Sequence, residues 1–169
     1  MRLALVQRRV AQIGAPMIYV NMTGAQDDLV FDGDSLAVGS DQKLLARSVQ
    51  FKSSLDIVDV PIAMNSSQPD VLISDAAPLN KTPNISEIAP RLSDEEEVWS
   101  ALVMGLGDYV RKNGFKSVAL GLSGGIDSAL VATLAVDAVG KENVYGVSLP
   151  SKYSSAHSLS DAKALATNL

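Results

Sequence analysis

The sequence predicts an α/β chain with a parallel sheet in its C-terminal half, and three observations predict it. From Ser117 onward an apolar run, a loop and a helical pattern follow one another twice, and right-handed crossovers turn that order into a parallel sheet. A glycine-rich turn, Gly121-Leu122-Ser123-Gly124-Gly125, separates the first run from the first helix, at the carboxyl end of a strand, where sheets of this kind hold ligands. Finally, 169 residues with 47% hydrophobic and 20% charged side chains suffice for one globular domain or two partial ones.

In order along the chain, Leu3, Val6, Val10 and Ile13 share one face of a helix that Gly14 closes, glycine being suited to the left-handed residue after a helix. Met17-Ile18-Tyr19-Val20 is nearly all apolar and predicts a strand buried on both faces. Residues 21–28 are polar and read as a loop. Leu29-Val30-Phe31 predicts a strand running into Asp32-Gly33-Asp34, with a second strand over residues 35–38 and turn chemistry at Gly39-Ser40-Asp41-Gln42. Leu55 to Val60 alternates at period two, the pattern of a half-buried strand. Residues 1–60 are therefore one expected domain, a helix followed by a β-rich meander.

Residues 61–92 are expected to be a linker, because five of the seven prolines, Pro61, Pro69, Pro78, Pro83 and Pro90, fall there. Its Val71, Leu72, Ile73, Leu79 and Ile85 argue for a linker draped over a surface rather than a free tether. A second domain is expected over 93–169. It opens on Ser93-Asp94-Glu95-Glu96, a capping box with acids in the first turn. Val98, Ala101, Leu102, Leu106 and Tyr109 then repeat at helical spacing up to Asn113-Gly114. Residues 117–122 and 144–149 predict buried strands, residues 127–139 a helix closed by Gly140, and residues 158–168 a helix with Leu159, Ala162 and Leu165 inward.

Composition narrows the function. The net charge is −5 and no Lys/Arg cluster is present, which excludes the electrostatic footprint of a nucleic-acid partner. No apolar run reaches the roughly 18 residues of a membrane span, and no signal peptide is evident, so no membrane partner is expected and a cytoplasmic location is the default. There is no cysteine, hence no disulfide, thiolate metal site or thiol nucleophile.

The chemistry concentrates in Gly121, Leu122, Ser123, Gly124, Gly125, Ile126, Asp127 and Ser128. Two glycines let successive backbone N–H groups converge on an anion, and the following helix adds unpaired N–H groups and the positive end of its dipole. Ser123 and Ser128 offer hydroxyls. A polyphosphate fits such a cradle. The loop is not a Walker A sequence, since Ile126 stands where G-x-x-x-x-G-K-S/T needs lysine, and the dinucleotide pattern G-x-G-x-x-G is absent. Asp127 at the helix start can give a carboxylate to Mg²⁺, which takes one or two carboxylates together with phosphate oxygens and water. The plainer alternative is a tight turn with Asp127 as an N-cap.

Ser-Gly-Gly-x-Asp-Ser resembles the signature of the ATP pyrophosphatase superfamily, whose members adenylate a substrate and release pyrophosphate. Two further stretches narrow the resemblance. Residues 149–162, from Leu149-Pro150-Ser151-Lys152-Tyr153 through His157-Ser158-Leu159-Ser160-Asp161-Ala162, resemble the segment after the second strand of glutamine-dependent NAD⁺ synthetases. Tyr19-Val20-Asn21 with Gly24-Ala25-Gln26-Asp27-Asp28-Leu29-Val30-Phe31-Asp32-Gly33-Asp34-Ser35 resembles the late part of the nitrilase-like amidase domain that precedes that synthetase. Ala25 and Asp28 depart from the usual Gly and Glu.

The resemblance implies a C-terminal half of Rossmann-like, adenine nucleotide alpha hydrolase type and an N-terminal remnant of a nitrilase-like glutaminase. The family's Glu-Lys-Cys triad is absent, so no catalytic residue is assigned and the chain is expected to be an internal fragment. The implied activity of the parent is adenylation of nicotinic acid adenine dinucleotide by ATP, then displacement of AMP by glutamine-derived ammonia, giving NAD⁺, AMP and pyrophosphate. Residues 121–128 would hold ATP and Asp127 the Mg²⁺, with a homo-oligomeric parent. Lys152 is a candidate phosphate contact or a solvated loop lysine, and the backbone at Val147 or Leu149 is a candidate for the adenine edge. His157 is expected to serve a turn, Asp32 and Asp34 to be turn residues, and Trp99 and Tyr109 to pack in a core or between domains. Another adenylating ligase or sulfur transferase with this loop, or an inactive nucleotide-binding fragment, is the alternative.

Overall fold

The computed structural model describes residues 1–62, 71, 84, 86–149 and 156–169. Expectations for most of the proline-rich stretch and for Lys152 lie outside them. The elements are α1 (Arg2–Ile13), β1 (Met17–Tyr19), β2 (Thr23–Gln26), β3 (Leu29–Asp32), β4 (Leu36–Val38), β5 (Leu44–Arg47), α2 (Asp94–Lys112), β6 (Val118–Gly121), α3 (Ile126–Val139), β7 (Val144–Val147) and α4 (Ala156–Asn168). They form two compact units, Met1–Asn21 with Gly33–Arg91, and Met22–Asp32 with Leu92–Leu169. Thus the segment 22–32, which sequence order places in the N-terminal stretch, packs with the C-terminal one. No described helix is long and apolar enough to cross a membrane.

In the first unit, α1 buries Val6 and Val10 against Leu36 and Val38, with Leu3, Met17 and Leu44 around them. Gly14 closes the helix at φ 66° and returns its N–H to Val10 O. The antiparallel sheet has the order β1-β4-β5. The expected double burial of 17–20 is not met: Ile18 is 60% and Val20 78% exposed, because β1 is an edge strand with one face on α1. The strand expected over 55–60 does not form either. Asp56 takes the hydroxyls of Ser48 and Ser54, local bonds that offer the chain an alternative to a ladder. Instead residues 87–89 lie parallel to Arg47, which donates to Glu87 O and accepts from Ala89 N.

Asp34 lies between β3 and β4 at φ 50°, after Gly33 at φ 70°, without the hydrogen-bonded turn expected there. It is also a buried charge. Its carboxylate meets Arg2 Nη1 at 2.8 Å in a hydrogen bond and Arg47 Nε at 3.1 Å in an ion pair that lacks hydrogen-bond alignment.

In the second unit, Ser93 Oγ accepts from Glu96 N while the Glu96 carboxylate accepts from Ser93 N, the expected capping box of α2. The buried face of α2 differs from the expected one. Val98, Leu102 and Tyr109 are exposed, whereas Gly107 and Val110 are buried. Small residues explain the choice: a Cβ at Gly107 would lie 2.9 Å from Ala138 O, so the glycine lets α2 approach α3 closely, and α3 meets it with a stripe of buried Ala132, Ala135 and Ala138. Trp99 Nε1 donates to Asp137 at 2.9 Å and Arg111 Nη1 to Ala138 O at 3.4 Å. Trp99 is therefore an interhelix contact, while Tyr109 is a surface residue tilted against Phe115.

Strands β6 and β7 pair in parallel, with Val118 opposite Val144 and Gly121 opposite Val147, which is the predicted α/β crossover. They are not buried on both faces, as expected from their apolar runs. Leu120 and Leu122 pack with Ala132, Ala162, Leu165 and Leu169 of α3 and the α4 end, while Ala119, Tyr145 and Val147 face outward. Among the described residues α3 and α4 cover only one side.

Candidate functional site

Residues 121–128 follow β6 directly and lead into α3, the strand-turn-helix order that the loop chemistry requires. Leu122 continues the parallel ladder by donating to Val147 O at 2.8 Å, so the Val147 carbonyl is committed to the sheet. The chain then turns at Gly124, φ 79°, a region that residues with a Cβ enter at a cost. A Cβ there would also lie 2.6 Å from Ser158 Cα. Glycine is thus required twice, by its angle and by the first turn of α4 pressed against it.

Two hydroxyls tie the turn. Ser128 Oγ accepts from Ser123 N at 3.3 Å and donates to Gly125 O at 3.0 Å, while Ser123 Oγ accepts from Gly125 N at 3.2 Å and lies 3.0 Å from Ser128 Oγ. They pre-shape the loop rather than point free donors outward. Donors without an intrahelical acceptor lie at the start of α3. Gly125 is the N-cap and gives no side-chain cap, and its carbonyl takes the first helical bond, from Ala129 N. The N–H groups of Ile126, Asp127 and Ser128 therefore have no intrahelical acceptor, and they sit where the helix dipole is positive.

Asp127 is the second residue of α3, not its N-cap, so the capping alternative does not hold. Its carboxylate is exposed. No described cluster of three or more His, Cys, Asp or Glu could hold a metal alone, but a single carboxylate suits Mg²⁺ that arrives with phosphate oxygens. Beside the turn lies an open cavity of about 420 Å³, lined by Gly124, Gly125, Ser128, Asp161, Leu165 and others. His157 is exposed in the first turn of α4 rather than ahead of the helix as expected, and its backbone carbonyl accepts from Ser160 Oγ at 2.8 Å. Asp32 is the last residue of β3, opposite Thr23, and not the turn residue expected of it.

Residues 98–169 match the family model described as NAD synthase, a stretch that contains the entire loop. A glutamine-dependent NAD(+) synthetase of Synechocystis sp. is 44% identical over all 169 residues, and that of Aquifex aeolicus is 44% identical over 168 aligned positions, covering 89% of this chain. The chain is similar to part of the glutamine-dependent NAD(+) synthetases. It spans 28% and 29% of the length of those two proteins. Among solved structures, the glutamine-dependent NAD+ synthetase of Acinetobacter baumannii, determined in complex with adenosine diphosphate, superposes with a TM-score of 0.75 at 33% identity, covering 96% of this chain and 28% of that one. The enzyme of Cytophaga hutchinsonii shares the fold, with a TM-score of 0.71 at 20% identity, over 99% of this chain and 31% of its own.

Sequence reasoning missed Asp108 and Lys112, one helical turn apart near the end of α2. Asp108 accepts the N–H of Ala25 at 2.8 Å and pairs with Arg111 Nη2 at 2.7 Å and Lys112 Nζ at 3.4 Å. The Ala25 N–H, then the Arg111 and Lys112 side chains, hold its carboxyl below the usual 3.8 against an opposing desolvation effect. Lys112 Nζ donates to the carbonyl of the same Ala25. Their spacing of four was the available signal, since it places opposite charges on one helix face.

Proposed function

We propose that this chain carries the nucleotide-binding loop of a glutamine-hydrolysing NAD⁺ synthase. The activity is a carbon-nitrogen ligation: ATP adenylates the carboxylate of nicotinic acid adenine dinucleotide, and ammonia from glutamine displaces AMP to give NAD⁺, with pyrophosphate released. The observation that carries this reading is the N–H triplet of Ile126, Asp127 and Ser128, which has no intrahelical acceptor and no partner among the described residues, beside the Ser123/Ser128 hydroxyl ties. Attack at the α-phosphate makes the β,γ-pair the leaving group, and oriented N–H groups at a helix start suit the charge that develops on it. Gly121, Leu122, Ser123, Gly124, Gly125, Ile126, Asp127 and Ser128 form the ATP site in this reading.

Mg²⁺ bound with the nucleotide would neutralise phosphate charge, with Asp127 as its protein ligand. Residues 93–169 are read as the first part of a Rossmann-like ATP pyrophosphatase domain, residues 61–92 as a linker, and residues 1–60 as the late part of a nitrilase-like glutaminase; similarity to the synthetases over the whole chain supports that division. A cytoplasmic, homo-oligomeric enzyme is the corresponding expectation for the whole protein. The test is pyrophosphate release by the full-length protein, with ATP, Mg²⁺ and nicotinic acid adenine dinucleotide. Release that needs all three supports the reading, and release indifferent to the dinucleotide overturns it in favour of another adenylating enzyme.

A further inference from the structure

Strand β2, Thr23-Gly24-Ala25-Gln26, has no apolar alternation to call for a strand. Its residues pair with β3, Ala25 opposite Val30 and Gln26 opposite Leu29. The main chain of Ala25 nevertheless turns both of its polar groups toward α2: the N–H goes to Asp108 and the carbonyl accepts from Lys112. That is how a residue at a non-hydrogen-bonded position of an antiparallel pair behaves, its own groups pointing away from its partner. The fit is close. Gly24 has φ 138°, and a Cβ on it would lie 3.3 Å from Asp108 Oδ2, while a Cβ on Gly105 of α2 would meet Val30 Cγ2 at an ordinary 3.6 Å. Ala25 itself is buried.

The hairpin is continuous at both ends with the first unit, at Asn21 and at Gly33. Those ends are held together there: Asn21 Nδ2 donates to Gly33 O at 3.0 Å and Asn21 N to Ser35 Oγ at 3.0 Å. Helix α2 in turn is joined to α3 by Trp99 and Arg111, and α3 begins at the nucleotide loop. We propose that Asp108 and Lys112 are positioning residues for glutamine-dependent turnover, fixing the hairpin 23–32 of the N-terminal stretch on the helix that frames the ATP loop. The inference rests on the function proposed above, because it assigns the N-terminal stretch to the side that supplies ammonia. Neither residue touches the loop, so synthesis from free ammonium should not need them.

The experiment uses the full-length protein with Asp108→Asn and Lys112→Met, and with Lys116→Met, an exposed lysine just beyond α2, as a charge-loss control. NAD⁺ formation is measured with glutamine and with ammonium chloride, and hydrogen exchange is followed at the Ala25 amide. Losing one charge-assisted hydrogen bond should lower the glutamine-to-ammonium rate ratio about tenfold, with faster exchange at Ala25 and an ammonium rate within about twofold of the unaltered protein. The control should leave the ratio unchanged. An unchanged ratio in both variants overturns the proposal, as does an equal fall of both rates. Failure of the unaltered protein to make NAD⁺ from ammonium would instead overturn the function on which the proposal rests.

Discussion

Gly124→Ala is the most direct test of the loop geometry. Two costs can be read from the structure. At φ 79° an alanine pays about 1–2 kcal/mol for the left-handed conformation. Its Cβ would also stand 2.6 Å from Cα and 2.8 Å from the carbonyl carbon of Ser158, and backbone cannot swing aside as a side chain does. Overpacking of that kind adds about 1–3 kcal/mol. The chain can escape the second cost by lifting the first turn of α4, so the loss is capped by what that docking contributes. A total of about 2–5 kcal/mol corresponds to a fall in Tm of roughly 4–20 °C at 2–4 °C per kcal/mol. Calorimetric ATP titration of the same variant should show binding weakened at least about tenfold, which needs only about 1.4 kcal/mol. For the melting measurement, Gly121→Ala is the matched control, because nothing lies within 4 Å of a Cβ there. Should Gly124→Ala melt and bind ATP like the unaltered chain, or Gly121→Ala lower Tm as much, the contact between loop and α4 is wrong.

Asp127→Asn should leave Tm almost unchanged, since the side chain is exposed and the helix-dipole contribution is about 0.3–1 kcal/mol, while Mg²⁺-dependent ATP binding falls sharply; equal losses of stability and binding would restore a purely structural role. Asp34→Ala leaves Arg2 and Arg47 without the carboxylate they share and should cost about 3–5 kcal/mol in urea unfolding, a figure that a loss below 1 kcal/mol would contradict. For Asp108 the folded pKa is lower than the unfolded one, so its stabilisation is complete above the ordinary carboxylate range and is lost as pH falls through the folded value. Exchange at the Ala25 amide, corrected for intrinsic rate, should therefore stay protected from pH 7 down to the usual Asp pKa of about 4 and open only in stronger acid. Opening between pH 7 and 5 would refute that sign.

The parts of the fold that sequence revealed are those whose cause is local. The capping box at Ser93, the glycine stop at Gly14 and the turn at Gly39 each draw on residues within a few positions. The parallel pairing of β6 and β7 followed from element order, and the strand-turn-helix over 118–139 was legible because its glycines punctuate an apolar run and a helical pattern. Burial was less legible. Apolar runs at 17–20, 117–122 and 144–149 signalled strands correctly, but whether both faces are covered depends on what else packs there. The same limit hid the buried face of α2, where Gly107 and Val110 are chosen by the close approach of α3. Strand β2 was invisible for a different reason. Its pattern is silent, and its outward main-chain groups are satisfied by side chains 83 and 87 positions away. The period-two run at 55–60 misled in the opposite sense, since alternation has meaning only where a neighbouring strand supplies a ladder.

The two-stranded parallel sheet also governs how the chain behaves as a colloid. Among the described residues β6 and β7 pair only with each other, so each keeps one unpaired edge, and Tyr145, Val147 and Leu149 are 58%, 44% and 81% exposed along β7 and just beyond it. Such an edge is a template for another chain. What opposes its use is long-range repulsion from a net charge of −5 at pH 7, a barrier that salt screens within about 8–10 Å and that vanishes near the pI of about 4.7. For these 169 residues taken by themselves, dispersed chains at neutral pH and low ionic strength, and self-association as either acid or salt removes the barrier, are the two regimes expected of the same strand.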